Sequence, residues 1–424
     1  MFRLSQGFGG LYSTAPCVRA RSTGVLAEPM RYPVQRRPWI RRKRRGAGKN
    51  ETAAPMRWRE MSVLILILIT TPAWPLNARP AEPAGKGVAA RVATCLEGAQ
   101  LKEGANPGAW PSEVLFTGPA TTGMACAYEW MADPAYLQAA ELGGEFILSV
   151  GDATGHLLGD EAYALVGLSE LSQDPQDNRW RAALVEFYAS LRRNEGETTA
   201  RYIDLLKQED SSANVFYVAH HTVAAYYVDD IDNEVWREAL IRCLASVDDA
   251  SDWPVQALGV ATWALARTGN LGGTLVDPLS ETYYWSGVTL RDLPALLLRY
   301  QIPEGELFAG SFYWHFDHTT RENSVLVGGW TEDTVYGTLG LVQAASRQED
   351  IPAEELDEAI LAAYTALLYG PDAEGRVCEH LAGLGESYHA YAGEVLQALW
   401  AAQQHLDAQA ESTIPEGGDI ATQK

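Results

Sequence analysis

A chain of 424 residues with 47% hydrophobic content can bury a large core, enough for one big domain or two to three ordinary ones. The charge is uneven: residues 1–78 carry 14 Lys and Arg against 3 Glu, which leaves 19 basic and 52 acidic residues in the remainder, a formal −33. So acidic a body excludes nucleic acid as a partner and repels anionic ligands at long range unless a cation bridges them.

Residues 1–55 include the run RRPWIRRKRR and have neither helical nor strand periodicity. They read as a disordered or wrongly translated extension rather than a basic binding arm, because a secretory signal follows. From Met56, the basic Arg57 and Arg59 precede an apolar run over 63–69, then prolines, small residues and Ala78. A bilayer-spanning helix needs roughly 20 residues, so this run reads as a signal peptide over 56–78, cleaved near Ala73 or Ala78. Met56 thereby competes with Met1 as the start. The expectation is a secreted or periplasmic protein with no membrane anchor after cleavage. Export permits disulfides among Cys95, Cys126, Cys243 and Cys378, whose spacings fit neither a zinc site nor a redox pair; one bridge from Cys95 to Cys126 or Cys378 is expected.

Apolar residues recur at helical spacing over 86–98, 121–131, 135–150, 160–172, 179–193, 215–228, 233–246, 254–268, 293–300, 331–346, 353–369 and 386–406, with a short helix over 199–207. These helices alternate in character. Those over 179–193 and 233–246 carry charge on one face, as outer helices must. The helices starting at 121, 160, 215, 254, 331 and 386 are rich in Ala, Gly, Thr and Tyr and nearly uncharged, as expected of helices packed on every side. Six outer–inner pairs predict an all-α (α/α)6 toroid over 79–410, followed by a disordered tail over 411–424. Before the fifth inner helix, Phe312, Trp314 and Phe316 alternate with polar residues, and the chain returns through 325–330. That pattern predicts an aromatic β-hairpin feeding a helix behind Asp333 as its N-cap.

The helix tail at Gln100 followed by Gly108-Ala109-Trp110 resembles the repeat of the terpenoid-cyclase and protein-prenyltransferase toroids. Asp160 to Tyr163 and Asp333 to Tyr336, each followed by small residues, resemble inner-helix starts of secreted toroids, including the pectate-lyase type. The resemblance covers roughly residues 84–408 at the level of architecture and implies the same toroid. The catalytic signatures of the first families are absent. The nearest match to a cyclase Asp-x-Asp-Asp, Asp229-Asp230-Ile231-Asp232, falls at the far end of the barrel, where it reads as an acidic helix boundary with Asn233 capping the next helix.

Connections from outer to inner helices are long, over 99–120, 194–214 and 301–330, whereas the reverse connections are short apart from 269–291. Long loops concentrate function, so a cleft is expected where the inner helices begin. Candidate catalytic residues there are Asp333, His389, His221 and Asp160, since a glycosidic bond needs an acid and a second carboxylate or His. Candidate substrate contacts are Trp330, Trp314, His315, Tyr336, Tyr388, Trp110 and Trp253, because sugar rings stack on aromatic faces. Each has a plainer role: the aspartates as helix caps, the histidines as buried hydrogen-bonding groups, the aromatics as core. His315 and His318 point to opposite faces of a strand, so no metal site is expected. No cofactor is expected, with calcium reserved for a polyuronate substrate. The partner expected is a polysaccharide or another extracellular small ligand, bound by a monomer. Lyase or glycoside hydrolase chemistry heads the alternatives, then a non-catalytic binding or scaffold toroid, then terpenoid-cyclase-like chemistry.

Overall fold

The computed structural model describes residues 82–412 apart from 112–115, 194–197, 209, 249, 283, 318–326 and 348–349. The basic extension, the signal segment and most of the expected tail lie outside the described residues; residues 411 and 412, assigned to that tail, continue the last helix. Thirteen α-helices are described. The outer ones are α1 (Glu82–Ala99), α3 (Pro134–Thr154), α5 (Arg179–Ser190), α8 (Asn233–Ala245), α10 (Leu293–Arg299) and α12 (Ala353–Tyr369). The inner ones are α2 (Thr117–Met131), α4 (Gly159–Glu170), α7 (Ser211–Tyr227), α9 (Pro254–Arg267), α11 (Thr331–Ala345) and α13 (His389–Ser412), and the short α6 (Thr199–Leu206) packs against α7 and α8. Each inner helix contacts the next, and α13 returns to α2, so the ring is closed as an (α/α)6 toroid. Among the described residues no helix is long and apolar enough to cross a membrane.

Burial follows the alternation in the sequence. In α9 every residue from Pro254 to Ala266 is buried, whereas α8 buries a single stripe of Trp236, Ala239, Leu240, Cys243 and Leu244. Side chains at the helix starts absorb orphan N–H groups: Asp133 caps α3, Asn178 caps α5, Thr198 caps α6 and Asp210 caps α7. Inner helices meet at small residues. A Cβ on Gly123 of α2 would overlap the backbone of Gly393 in α13, so a larger residue at this crossing would force the two helices apart.

The resemblance at Gln100 has a structural cause, and it occurs twice. The Gln100 side-chain amide donates to the carbonyls of Gly108 at 3.0 Å and of Ala139, on the next outer helix, at 2.8 Å. The Gln301 amide donates to Gly310 at 3.0 Å and to Ala359, again on the next outer helix, at 2.8 Å. Gly108 and Gly310 both have positive φ, +96° and +86°, and a Cβ on either would overlap a carbonyl of that next outer helix, Leu142 or Ala362. Trp110 and Phe312, two residues on, are fully buried. Each corner ties the end of one outer helix to its neighbour.

Three expectations are corrected. Cys95, Cys126, Cys243 and Cys378 are all free thiols. The acidic turn is a charge-paired boundary, as read, but Asn233 does not cap it. Arg192 pairs with Asp230 at 2.8 Å and Asp232 at 3.2 Å, and Asp232, at the cap position, accepts a hydrogen bond from the Thr199 hydroxyl. Asp333 and Asp160 are not N-caps either: those positions belong to Trp330 and Leu158.

Candidate functional site

The loop before α11 is held from two sides. Bridges join Gln301 to Phe312 and Tyr313 to Gly328, and the Trp314 N–H donates to the Val327 carbonyl at 3.1 Å, so the base of the expected hairpin pairs as read. Its turn, 318–326 with His318, lies outside the described residues. The sequence did not announce the second support, an antiparallel pair of β1 (Cys378–His380) and β2 (Leu384–Ser387). Trp330 bridges to His380, the Leu381 N–H donates to Gly329, and the Thr331 hydroxyl donates to Cys378 at 2.7 Å. His380 Nε2–H donates to the Gly328 carbonyl at 2.8 Å while its Nδ1 accepts from Ala382 at 3.1 Å, which fixes a neutral ring. Burial pushes its pKa down to about 4, against the opposing pull of Gly328.

This frame brings three of the candidate tryptophans into contact. Trp253 lies 5.4 Å from Trp314 and 5.2 Å from Trp330, ring centre to ring centre, and Trp330 lies 5.3 Å from His380. All three tryptophans are half-buried and present a surface. His315 is buried behind them, its ring 5.3 Å from Trp314 and its Nδ1 engaged by Asp317.

Carboxyl groups gather at the inner-helix starts. Asp333, the third residue of α11, is fully buried. Burial, and then the charge of Glu332, push its carboxyl well above the ordinary aspartate range, and the Gln256 backbone N–H offsets only part of this. At the start of α4, Asp160 accepts from the Glu161 N–H at 3.1 Å. Burial and the Asp160 charge push Glu161 up to about 8, although Glu161 accepts the Leu158 N–H at 2.8 Å. His389, first residue of α13, is half-buried, and burial lowers its pKa against a favourable Pro111 backbone contact. The neighbouring Tyr388 packs edge-on to Tyr391 at 5.2 Å and donates to Glu386.

Other candidates sit elsewhere. His221 turns away from the ring axis: its Nδ1 lies 3.0 Å from the Tyr188 hydroxyl, its ring stacks on Trp236 at 4.6 Å, and burial lowers its pKa to about 3. It packs between inner and outer helices and does not meet His389. Trp110 is fully buried and its indole N–H donates to Leu96 at 2.7 Å, a core role. Tyr336 fills the ring interior, 1% exposed, donating to Glu394 at 3.1 Å and packing edge-on to Phe216 and His220. Glu394 and His380 were not singled out from the sequence. Glu394 had a signal, as the lone charge in the first turns of an otherwise apolar helix.

Among the described residues no group of three or more His, Cys, Asp or Glu could hold a metal ion. No protein-family model matches the chain, and no curated protein sequence matches it. Solved structures do. An unsaturated glucuronyl hydrolase specific for heparin superposes with a TM-score of 0.51 at 10% identity, over 78% of this chain and 99% of its own. An unsaturated glucuronyl hydrolase from Streptococcus agalactiae gives 0.50 at 11% identity, over 85% and 98%. A polysaccharide lyase gives 0.48 at 14% identity, over 78% and 99%. The protein is an α/α toroid.

Proposed function

We propose that this chain is an exported carbohydrate-active enzyme of the glycoside hydrolase kind, acting in a cleft where the inner helices begin. Three half-buried tryptophans, Trp253 in contact with both Trp314 and Trp330, support this most: they offer adjoining faces to sugar C–H groups, and Trp330 stands three residues ahead of a buried carboxyl at Asp333. The upward shift of Asp333 favours the protonated form that a general acid needs. Glu332 and Asp160 are the carboxylates proposed to assist it. His389, kept neutral by burial, can accept a proton and with Tyr388 serves the lyase alternative. The acidic body disfavours that alternative for an anionic polymer unless calcium bridges the two.

The two neighbours at a TM-score of 0.50 or above are unsaturated glucuronyl hydrolases, which makes an unsaturated uronide the first substrate to try. The decisive assay incubates the full chain with unsaturated uronide disaccharides, neutral polysaccharides and polyuronates, with and without calcium. Loss of the conjugated double bond marks hydrolysis of the uronide, new double bonds mark lyase action, and new reducing ends mark hydrolysis of a polymer. Asp333→Asn is expected to lower turnover by about 10²-fold or more with helix content intact. Full activity in both Asp333→Asn and His389→Ala would show that the chemistry lies elsewhere. The complete burial of Asp333 favours one second reading, a non-catalytic toroid, under which saccharides quench indole fluorescence without turnover.

A further inference from the structure

A cavity of ≈ 230 Å³ lies toward the other end of the ring, among the later turns of α2, α4, α9 and α11 and the middle of α13. Tyr163 closes it on the inside: its ring packs edge-on to Trp263 at 4.9 Å and to His220 at 5.7 Å. Beyond His220 lie Tyr336 and Glu394, so a filled layer of side chains separates this cavity from the tryptophans at the opposite rim. The cavity is smaller than the roughly 300–1,000 Å³ of pockets for drug-sized ligands, room for one ring and not a chain.

Its walls combine aromatic faces with amides. Trp263, Trp400 and Tyr163 supply the first, and Gln343, Gln397 and Gln404 the second. The Gln397 amide donates to the Tyr163 hydroxyl at 3.4 Å, leaving its other groups for a ligand. The charges are already matched or negative: Arg267 pairs with Glu170 at 3.0 Å, and Glu129 accepts the Trp400 indole N–H at 2.9 Å. An anion entering here would face two carboxylates against one paired guanidinium. One side chain awaits a partner. Thr122 lines the cavity, is 4% exposed, and its hydroxyl makes no hydrogen bond. Thr121, Thr222, Thr262 and Thr338, also on inner helices, each donate to the carbonyl four residues back.

We infer that this cavity is a second binding site, for a single neutral pyranose ring. The ring's C–H face lies against Trp400 or Trp263, and its hydroxyls reach Thr122, Gln397 and Gln404. The inference stands apart from the hydrolase proposal, because it uses none of the residues at the tryptophan rim.

The test titrates the full chain separately with D-glucose, D-galactose, D-mannose and D-glucuronate, following indole fluorescence and heat. Saturable binding of at least one neutral hexose is expected, weakened about tenfold in Trp400→Ala and in Gln397→Leu. Gln397 is buried, so Gln404→Ala at the exposed lip is a variant safe for folding, with a several-fold loss expected. Any of three results overturns the inference: no saturation with all three hexoses, glucuronate binding as tightly as they do, or binding that survives in both Trp400→Ala and Gln404→Ala. Loss of hexose binding in Trp314→Ala alone would also overturn it, by placing the sugar at the rim.

Discussion

At Gln100 and at Gln301 the chain leaves an outer helix through the same corner, with the same amide bonds to a positive-φ glycine and to the next outer helix. After Trp110 the next described helix, α2, starts at Thr117. After Phe312 it first makes the paired segment that carries Trp314, His315 and Trp330, and only then enters α11 at Thr331. A shared corner holds the ring together, and an elaboration on one copy supplies half-buried tryptophans. The aromatic residue inside a corner belongs to stability, and the aromatics after it are the ones proposed to bind.

The largest expected effect is at Trp110. Trp110→Ala leaves a cavity in a fully buried place and removes an indole bond to Leu96, so a loss of about 3–5 kcal/mol is expected from urea unfolding. Gly108→Ala and Gly310→Ala come next, each expected to cost about 3 kcal/mol from overlap with an outer-helix carbonyl at a left-handed φ. If either is tolerated, the two corners are not equivalent. Gln100→Ala and Gln301→Ala each remove two amide hydrogen bonds, worth about 1–3 kcal/mol. Only Gln301→Ala should also weaken saccharide quenching of the rim tryptophans. Trp314→Ala, half-buried, is expected to change stability by less than about 1 kcal/mol while removing most of that quenching, the reverse of Trp110→Ala.

Stability also depends on pH. His380 and His221 have folded pKa values of about 4 and about 3, below the ordinary 6.5, so the unfolded chain binds more protons between those values. Their contribution is complete above 6.5 and is lost as pH falls from there toward 4 and then 3. Glu161, raised to about 8 from 4.5, acts oppositely: its contribution is complete below 4.5 and fades as pH rises toward 8. The unfolding midpoint should therefore peak in mildly acidic solution, and His380→Gln should flatten the acid limb. A midpoint unchanged across that limb would contradict the neutral His380 that fixes Trp330.

The ring was legible because outer helices must show charge on one face and inner helices cannot, and the helix bounds follow within a few residues. The site was legible only in part. Consecutive residues on a helix point about 100° apart, so His220 faces the interior while His221 faces Tyr188 and Trp236; the apolar pattern of the helix does not say which of the two neighbours turns inward. Asp160 and Asp333 looked like caps because a carboxylate in the first turn suits a helix N-terminus whether or not it holds the cap position. The second corner escaped notice because Phe312 stands where Trp110 does and the glycine comes one residue later. His380 could not be found from the sequence, since its partner Gly328 lies 52 residues away across a contact that local patterns do not encode.

The crossing of α13 with α2 at Gly123 and Gly393 is the seam where the last inner helix meets the first. A nascent chain emerging from the ribosome can stack its helical pairs one on another but cannot complete the circle until residues 389–412 are free. Until then α1 and α2 keep an apolar flank open to chaperones, and a truncation before α13 should leave an aggregation-prone arc in place of a smaller toroid.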